Sequence, residues 1–279
     1  MTARIAVDRP SARDLERAMA LLEPWRKLVA PKFLGFERIP DERPLLFVGN
    51  HTLYGVLDIG FLWRELWQKK QIFLRGLADH AHFKIPFWRD MLAHWGAVDG
   101  TRENCAALME AGETILVFPG GAREVAKRRG EEYRLIWKER LGFARMAILH
   151  QCTIVPFASV GVDDAFEIVL DANDLLASPL GGLLRKLNVR EDFIPPLARG
   201  LGPMMLPRAE RFYFEILPPI ETRGLEQTDE AARLLRDRTR DAIQAGLDNL
   251  LALRERDPKR RLGPRLLAGL LPRGKRRAP

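Results

Sequence analysis

At 279 residues the chain can form one α/β domain or two small ones, and a hydrophobic content of 47% supplies a core and excludes disorder away from the ends. Lys and Arg outnumber Asp and Glu by 45 to 37, but residues 259–279 hold eight of the basic residues and no acidic one, which leaves 37 against 37 elsewhere. A neutral body excludes a broad nucleic-acid surface, and the absence of any apolar window of roughly 18–20 residues excludes a spanning helix.

In chain order, residues Met1 to Pro10 are polar and carry no apolar leader. With only Cys105 and Cys152, both expected as buried thiols, this points to a reducing, cytoplasmic setting. A helix starts near Ser11, runs through Leu15, Met19 and Leu22, breaks at Pro24, and docks ahead of the sheet as an N-terminal segment over residues 1–35. Short β-type runs follow at 44–49, 71–76, 113–118, 153–161 and 211–217, several of them apolar throughout, as strands covered on both faces must be. Helical patterns lie between them at 52–68, 80–94, 101–111, 131–150 and 228–256, and Thr101 and Gly112 give the third a clear start and stop. The alternation predicts an α/β fold, a mostly parallel sheet flanked by helices, over residues 36–258. Residues 174–208 are rich in Pro, Gly and Leu without a clean period. The basic tail, 259–279, sets Leu262, Leu266, Leu267, Leu270 and Leu271 at helical spacing between Lys259-Arg260-Arg261 and Lys275-Arg276-Arg277. It reads either as an amphipathic anchor for an anionic membrane surface or as a disordered end.

Two clusters carry chemistry. Asn50-His51-Thr52-Leu53-Tyr54-Gly55-Val56-Leu57-Asp58 places a histidine just past an apolar strand, where open α/β sheets bind ligands, with a carboxylate downstream. A neutral imidazole there takes a proton from a hydroxyl, and a carboxylate on its far nitrogen fixes the tautomer. Phe118-Pro119-Gly120-Gly121-Ala122-Arg123-Glu124 follows another apolar run. Gly120 and Gly121 free backbone N–H groups for close approach, and Arg123 offers a planar fork to phosphate or carboxylate oxygens. Base and anion cradle together suggest acyl or phosphoryl chemistry.

These residues resemble the glycerolipid acyltransferase superfamily, the 1-acylglycerol-3-phosphate acyltransferases and their relatives, over roughly residues 28–220. Asn50-His51 with Asp58 looks like the first motif, and Gly96-Ala97-Val98-Asp99-Gly100-Thr101-Arg102 like the second. Phe118 to Arg123 matches the third, and Ile154-Val155-Pro156-Phe157 is similar to the fourth. The family's usual glutamate in the third motif is Gly120 here, and Pro-Gly-Gly before Arg-Glu is closer to type 2 diacylglycerol acyltransferases and plant phytyl ester synthases. That branch implies neutral acceptors such as diacylglycerol or long-chain alcohols. The family also places four residues between histidine and aspartate, whereas this chain has six. In a straight helix that separation amounts to about 10.5 Å along the axis, so an irregular turn at Gly55 has to shorten it; Glu124 is the other candidate partner.

The resemblance implies direct acyl transfer from an acyl thioester, acyl-CoA or acyl carrier protein, to a lipid acceptor, with His51 as base, Asp58 as its partner, and no cofactor. Amides near Gly120 and Gly121 are expected to take the oxyanion, and Arg102 and Arg123 the phosphates of donor or acceptor. The rival is a non-catalytic lipid-binding protein on the same fold, working at a membrane surface. Phe157-Ala158-Ser159-Val160-Gly161 lacks the first glycine of a nucleophile elbow, and Asp79-His80-Ala81-His82 has no Cys pair or third histidine nearby to complete a metal site.

Overall fold

The computed structural model describes residues 9–55, 57–186, 189–202 and 204–270; the expected leader-free start before Arg9 and the second basic flank of the tail lie outside them. Helix α1 (Ala12–Val29) begins at Ser11, whose hydroxyl accepts the Asp14 N–H at 3.2 Å. It runs through Pro24 instead of ending there. A proline removes one helix bond without forbidding the helix, and the turn beyond it is kept because Val29 is buried against the sheet.

Strand β1 (Lys32–Leu34) comes next, so the N-terminal segment contributes a strand as well as a helix. The chain continues through β2 (Leu45–Gly49), α2 (Ile59–Lys70), β3 (Leu74–Ala78), α3 (His80–Phe83), α4 (Pro86–His94), β4 (Val98–Asp99), α5 (Arg102–Glu110) and β5 (Thr114–Val117). Beyond these lie α6 (Ala122–Val125), α7 (Gly142–Leu149), β6 (Thr153–Val160), β7 (Glu167–Leu170), α8 (Ala172–Ala177), α9 (Pro179–Lys186), β8 (Leu197–Arg199), β9 (Tyr213–Ile216), α10 (Asp229–Arg256) and α11 (Leu262–Leu270). Among the described residues the main sheet has seven strands in the order β1-β9-β6-β2-β5-β3-β4, and every pairing is parallel except β6 with β9. The expected mostly parallel α/β fold is the observed one.

Three helices differ from their sequence patterns, each for a local reason. The expected 52–68 helix starts only at Ile59, because Tyr54 (φ 60°) and Gly55 (φ 64°) turn left-handed and redirect the chain. The 80–94 helix is split at Ile85-Pro86, where proline opens α4 as its first residue. The 131–150 helix shrinks to α7, and residues 131–141 form an irregular strap with Tyr133 and Lys138 at positive φ. That strap gives two of its backbone donors, from Tyr133 and Ile136, to buried carboxylates instead of to a helix. The Pro-, Gly- and Leu-rich stretch holds α8, α9 and β8, the last paired antiparallel with β7 in a separate two-stranded sheet.

Apolar side chains fill both faces of the sheet. On one, Leu46, Val48, Ile154 and Ala158 meet α5, α7 and the long α10. On the other, Leu45, Phe47, Val155 and Phe157 meet α1 and α2. No helix among the described residues is long and apolar enough to cross a membrane. Cys105 and Cys152 are buried free thiols, raised to about 11 and about 12 by burial.

Gly49, the last residue of β2, sits under the Phe157 ring, where an added Cβ would come within 2.3 Å of Cζ. Gly49→Ala is expected to lower stability by about 1–3 kcal/mol through overpacking. A thermal melt unchanged from the wild type would show that the ring moves aside freely.

Candidate active site

Three adjacent strands, β6, β2 and β5, end side by side at one edge of the sheet, and each delivers a polar segment there. From β2 come Asn50 and His51. The Asn50 amide donates to the Ser159 carbonyl at 2.9 Å and its oxygen accepts the Ser159 N–H at 2.8 Å, so a side chain extends the β2–β6 ladder by one more pair. Both residues are buried. This fixes where the chain leaves the strand, and His51 is the next residue out.

The His51 ring stacks on Phe118 with centroids 4.0 Å apart and planes inclined at 17°. Its opposite restraint is Gly55, where a Cβ would lie 2.2 Å from Cε1, 2.9 Å from Nδ1 and 3.0 Å from Nε2. Gly55 is thus required twice, for its positive φ and because its backbone packs so closely against the edge of the imidazole that a side chain would collide with the ring. Nδ1 is buried and has no hydrogen-bond partner among the described residues. Burial, with the Lys127 ammonium and the His82 ring adding to it, pushes the imidazole down to about 3. The ring is therefore neutral at any physiological pH.

Beneath the ring lies a buried ionic cluster. The Lys127 ammonium donates to the His51 carbonyl at 2.8 Å and lies 3.6 Å from Asp163 Oδ2. Glu124 Oε2 accepts the His51 N–H at 2.9 Å while its Oε1 accepts the Ile136 N–H at 2.7 Å. Asp163 Oδ1 accepts the Leu53 N–H at 2.8 Å and its Oδ2 the Tyr133 N–H at 3.2 Å. The backbone on both sides of His51 is held by charged side chains, and two of the same carboxylates hold the 131–141 strap over the site. Burial raises the pKa of both Glu124 and Asp163, against the pull of Lys127.

Among the residues expected from sequence, Asp58 is buried but its Oδ1 accepts from the Thr52 hydroxyl at 3.0 Å, and it makes no hydrogen bond to the His51 ring. The left-handed turn at Tyr54 and Gly55 lies between the two residues, and the carboxylate bonds Thr52 and not the imidazole. Burial also raises its pKa. Glu124, the other candidate partner, holds the His51 main chain instead of the ring. The Gly121 N–H is spent on the Phe118 carbonyl at 3.0 Å, whereas the Gly120 N–H has no acceptor among the described residues. Arg140, unremarked in the sequence, fixes this turn by donating to the Pro119 and Gly120 carbonyls at 2.8 and 2.7 Å.

Arg123 is buried and paired with Glu131, with a second bond to the Ala126 carbonyl. Its fork serves the strap in this structure and is not an open phosphate clamp. Arg102 is exposed in the first turn of α5 and has no ion pair among the described residues. Asp79 caps α3, and His80 binds Asp99 at 2.7 Å.

Residues 31–160, which contain this histidine and the Pro-Gly-Gly turn, match the family model described as Acyltransferase. Residues 31–160 form an acyltransferase domain. Phytyl ester synthase 1, chloroplastic, of Arabidopsis thaliana is 35% identical over 252 residues, covering 83% of this chain and 36% of that protein. The DGAT1/2-independent enzyme synthesizing storage lipids of Bos taurus is 29% identical over 214 residues, covering 77% and 58%. The chain thus spans about a third of the plant relative's length. A crystal structure of the 1-acyl-sn-glycerophosphate acyltransferase PlsC of Thermotoga maritima aligns with 87% of this chain and 84% of its own at 17% identity and a TM-score of 0.47.

Within the acyltransferase domain Gly120 stands where the resemblance leads one to expect a glutamate, and the space is not empty. A Cβ at Gly120 would lie 2.0 Å from the Glu124 carboxyl carbon. The carboxylate that four-residue-later Glu124 supplies fills the room a side chain at 120 would take. Lys127 and Asp163 escaped the sequence reading because Lys127-Arg128-Arg129 looks like a solvated basic run and Asp163-Asp164 like a surface turn. The signal available for Asp163 was its position just past the apolar β6 run, the same signal that marked His51.

Because its folded-state pKa lies far below the ordinary 6.5, His51 adds stability that is present above pH 6.5 and lost as the pH falls toward about 3, where the unfolded chain binds the proton first. Since His51 as a whole residue is only half-buried, which tempers the effect, the wild type is expected to lose roughly 1–2 kcal/mol more than His51→Gln between pH 7 and pH 5. Parallel denaturation curves for the two proteins across that range would contradict the depressed pKa. Arg123→Ala should cost about 1–3 kcal/mol by leaving Glu131 unpaired, while Arg102→Ala should stay within about 0.5 kcal/mol of wild type. Equal melting temperatures for the two variants would return Arg123 to the role of a surface charge.

Proposed function

We propose that this chain is an O-acyltransferase that moves a fatty acyl group from an acyl thioester, acyl-CoA or acyl carrier protein, to the hydroxyl of a lipid acceptor such as a lysophospholipid, diacylglycerol or a long-chain alcohol. The observation that carries this reading is a neutral histidine fixed just past the end of the central strand, its ring held between Phe118 and the side-chain-free Gly55 and next to a Pro-Gly-Gly turn. The names of the plant and bovine relatives support the lipid class of the acceptor.

In this mechanism a ring nitrogen of His51 takes the acceptor's hydroxyl proton as the oxygen attacks the thioester carbonyl carbon. The carbonyl oxygen becomes an oxyanion, for which the Gly120 N–H is the available donor at the turn. Collapse expels the thiolate, which takes the proton back from His51, so the products are the ester and the free thiol. No acyl-enzyme forms. Asp58 enters as the carboxylate that reaches Nδ1 when the acceptor binds, which would raise the basicity of an imidazole that is weakly basic in the free protein. Arg102 is the open cation for a substrate phosphate, and Gly121, Arg123 and Glu124 shape the cradle. The chain works at the cytoplasmic face of a membrane, bound peripherally.

A second reading has one observation in its favour. An unpartnered Nδ1 is what a lipid-binding protein that has lost the reaction would show. Labelled acyl-CoA offered with a panel of lysophospholipid, diacylglycerol and fatty alcohol in detergent separates the two. His51→Ala is expected to slow transfer by a factor of about 10² to 10⁴ with an unchanged melting curve, and Asp58→Asn by a smaller factor. Wild-type rates in a folded His51→Ala protein would overturn the mechanism, and no ester from any acceptor would favour the binding protein.

A further inference from the structure

Helix α11 is inside out for a helix in water. Arg265 is buried, donating to the Arg260 carbonyl at 2.7 Å and to the Ala209 carbonyl, while Leu266 and Leu267 are each more than half exposed. At 3.6 residues per turn Leu267 lies nearly opposite Arg265, so rolling the helix by half a turn would bury the leucine and solvate the arginine. The fold does the reverse: burial lowers the Arg265 pKa, and its Nε has no partner among the described residues.

A second apolar projection stands beside it. Leu201, Met204, Met205 and Leu206 are each more than half exposed on the turn after β8. This turn is a built one: the Gly200 N–H reaches the Met204 carbonyl at 2.8 Å, and the Leu201 N–H reaches the Leu206 carbonyl at 2.7 Å. Arg208 closes its base by donating to the Gly200 carbonyl at 3.1 Å, and the next residue, Ala209, is the one that receives α11. Where the segment that follows this turn meets the segment that leads into α11 lies an open cleft of about 370 Å³ lined by Arg208, Ala209, Arg260, Arg261 and Leu262, with Glu210 as the one acidic group in its lining. Arg208 also pairs with Glu167, whereas Arg260 and Arg261 have no ion pair among the described residues. From Pro258 to Pro279 the sequence holds no acidic residue.

We propose that this surface seats the chain on an anionic bilayer: the arginines of the cleft take lipid phosphate, while Leu266, Leu267 and the 201–206 turn enter the interface. Apolar groups flanking a cationic cleft match the layering of a bilayer surface, with acyl chains below and phosphates above. A protein partner with an apolar patch would have no need of the arginines, and a free phosphate would have no need of the leucines. The inference rests on the reading of the chain as an enzyme of lipid acceptors, and it names the surface that brings the site to them.

Co-sedimentation of the full chain with phosphatidylcholine vesicles, with and without phosphatidylglycerol, tests it. The wild type should bind the anionic vesicles, release them as salt rises, and ignore pure phosphatidylcholine. Arg260→Glu/Arg261→Glu and Leu266→Ser/Leu267→Ser should each weaken binding on the order of tenfold or more, with melting curves unchanged. Wild-type vesicle binding by either folded double variant overturns the proposal. So does protection of the wild type from thermal unfolding by inorganic phosphate with no binding to vesicles, which would make the cleft a free-phosphate site. A dimer that Leu266→Ser/Leu267→Ser converts to monomer without loss of vesicle binding would instead make the face an interface between copies. Transfer of a short acyl chain to a detergent-dispersed acceptor should be unaffected in both variants; absence of transfer in the wild type would count against the acyltransferase reading and leave the vesicle result standing.

Discussion

A single buried ammonium organises the candidate site. Lys127 lies at the end of the Gly120–Lys127 segment, with its side chain 1% exposed, and ties the His51 carbonyl to the Asp163 carboxylate. Burying that charge is costly unless it is paired and hydrogen-bonded, and removing one member of such a set leaves the others uncompensated. The cluster therefore couples the ends of β2, β5 and β6 to one another more tightly than their loops alone would. Glu124 and Asp163 each bridge two chain segments, one beside His51 and one in the 131–141 strap, so the strap and the histidine loop have a common support.

The electrostatic consequence follows from the same burial. A lysine close to a desolvated imidazole keeps it neutral, which preserves its ability to accept a proton but leaves it weakly basic until another charge approaches. Backbone geometry supplies the rest. Gly55 yields its side-chain volume to the His51 ring, Gly120 yields its own to the Glu124 carboxyl, and Asn50 adds one ladder step between strands where the main chain turns away. Polar side chains here replace backbone pairs that a tight strand-to-loop exit cannot make.

The periphery obeys a different balance. Around the site, charged groups are turned inward because each has a designated partner. At α11 an arginine is turned inward to cap carbonyls while leucines are left outside, an arrangement that water does not favour. The contrast between the fully partnered cluster under His51 and the open apolar and basic surface at 200–208 and 260–267 separates a place built for chemistry from one built for contact.

How much was legible in the sequence varied with the range of the interaction. The apolar runs at 44–49, 113–118 and 153–161 marked the central strands, because strands covered on both faces must be apolar throughout. Strands β1, β4, β7 and β8 are two to four residues long and left no such run. The helical pattern over 131–141 failed because the Tyr133 and Ile136 N–H groups go to Asp163 and Glu124, carboxylates distant in sequence. In the same way His51, Gly55 and the Pro-Gly-Gly turn stood out by residue type and position after a strand, both local properties. That Asp58 bonds Thr52, that Arg123 is tied to Glu131 and that Lys127 is a buried organiser were decided only by the tertiary structure, since a charge's partner depends on which strands lie side by side and not on its neighbours along the chain.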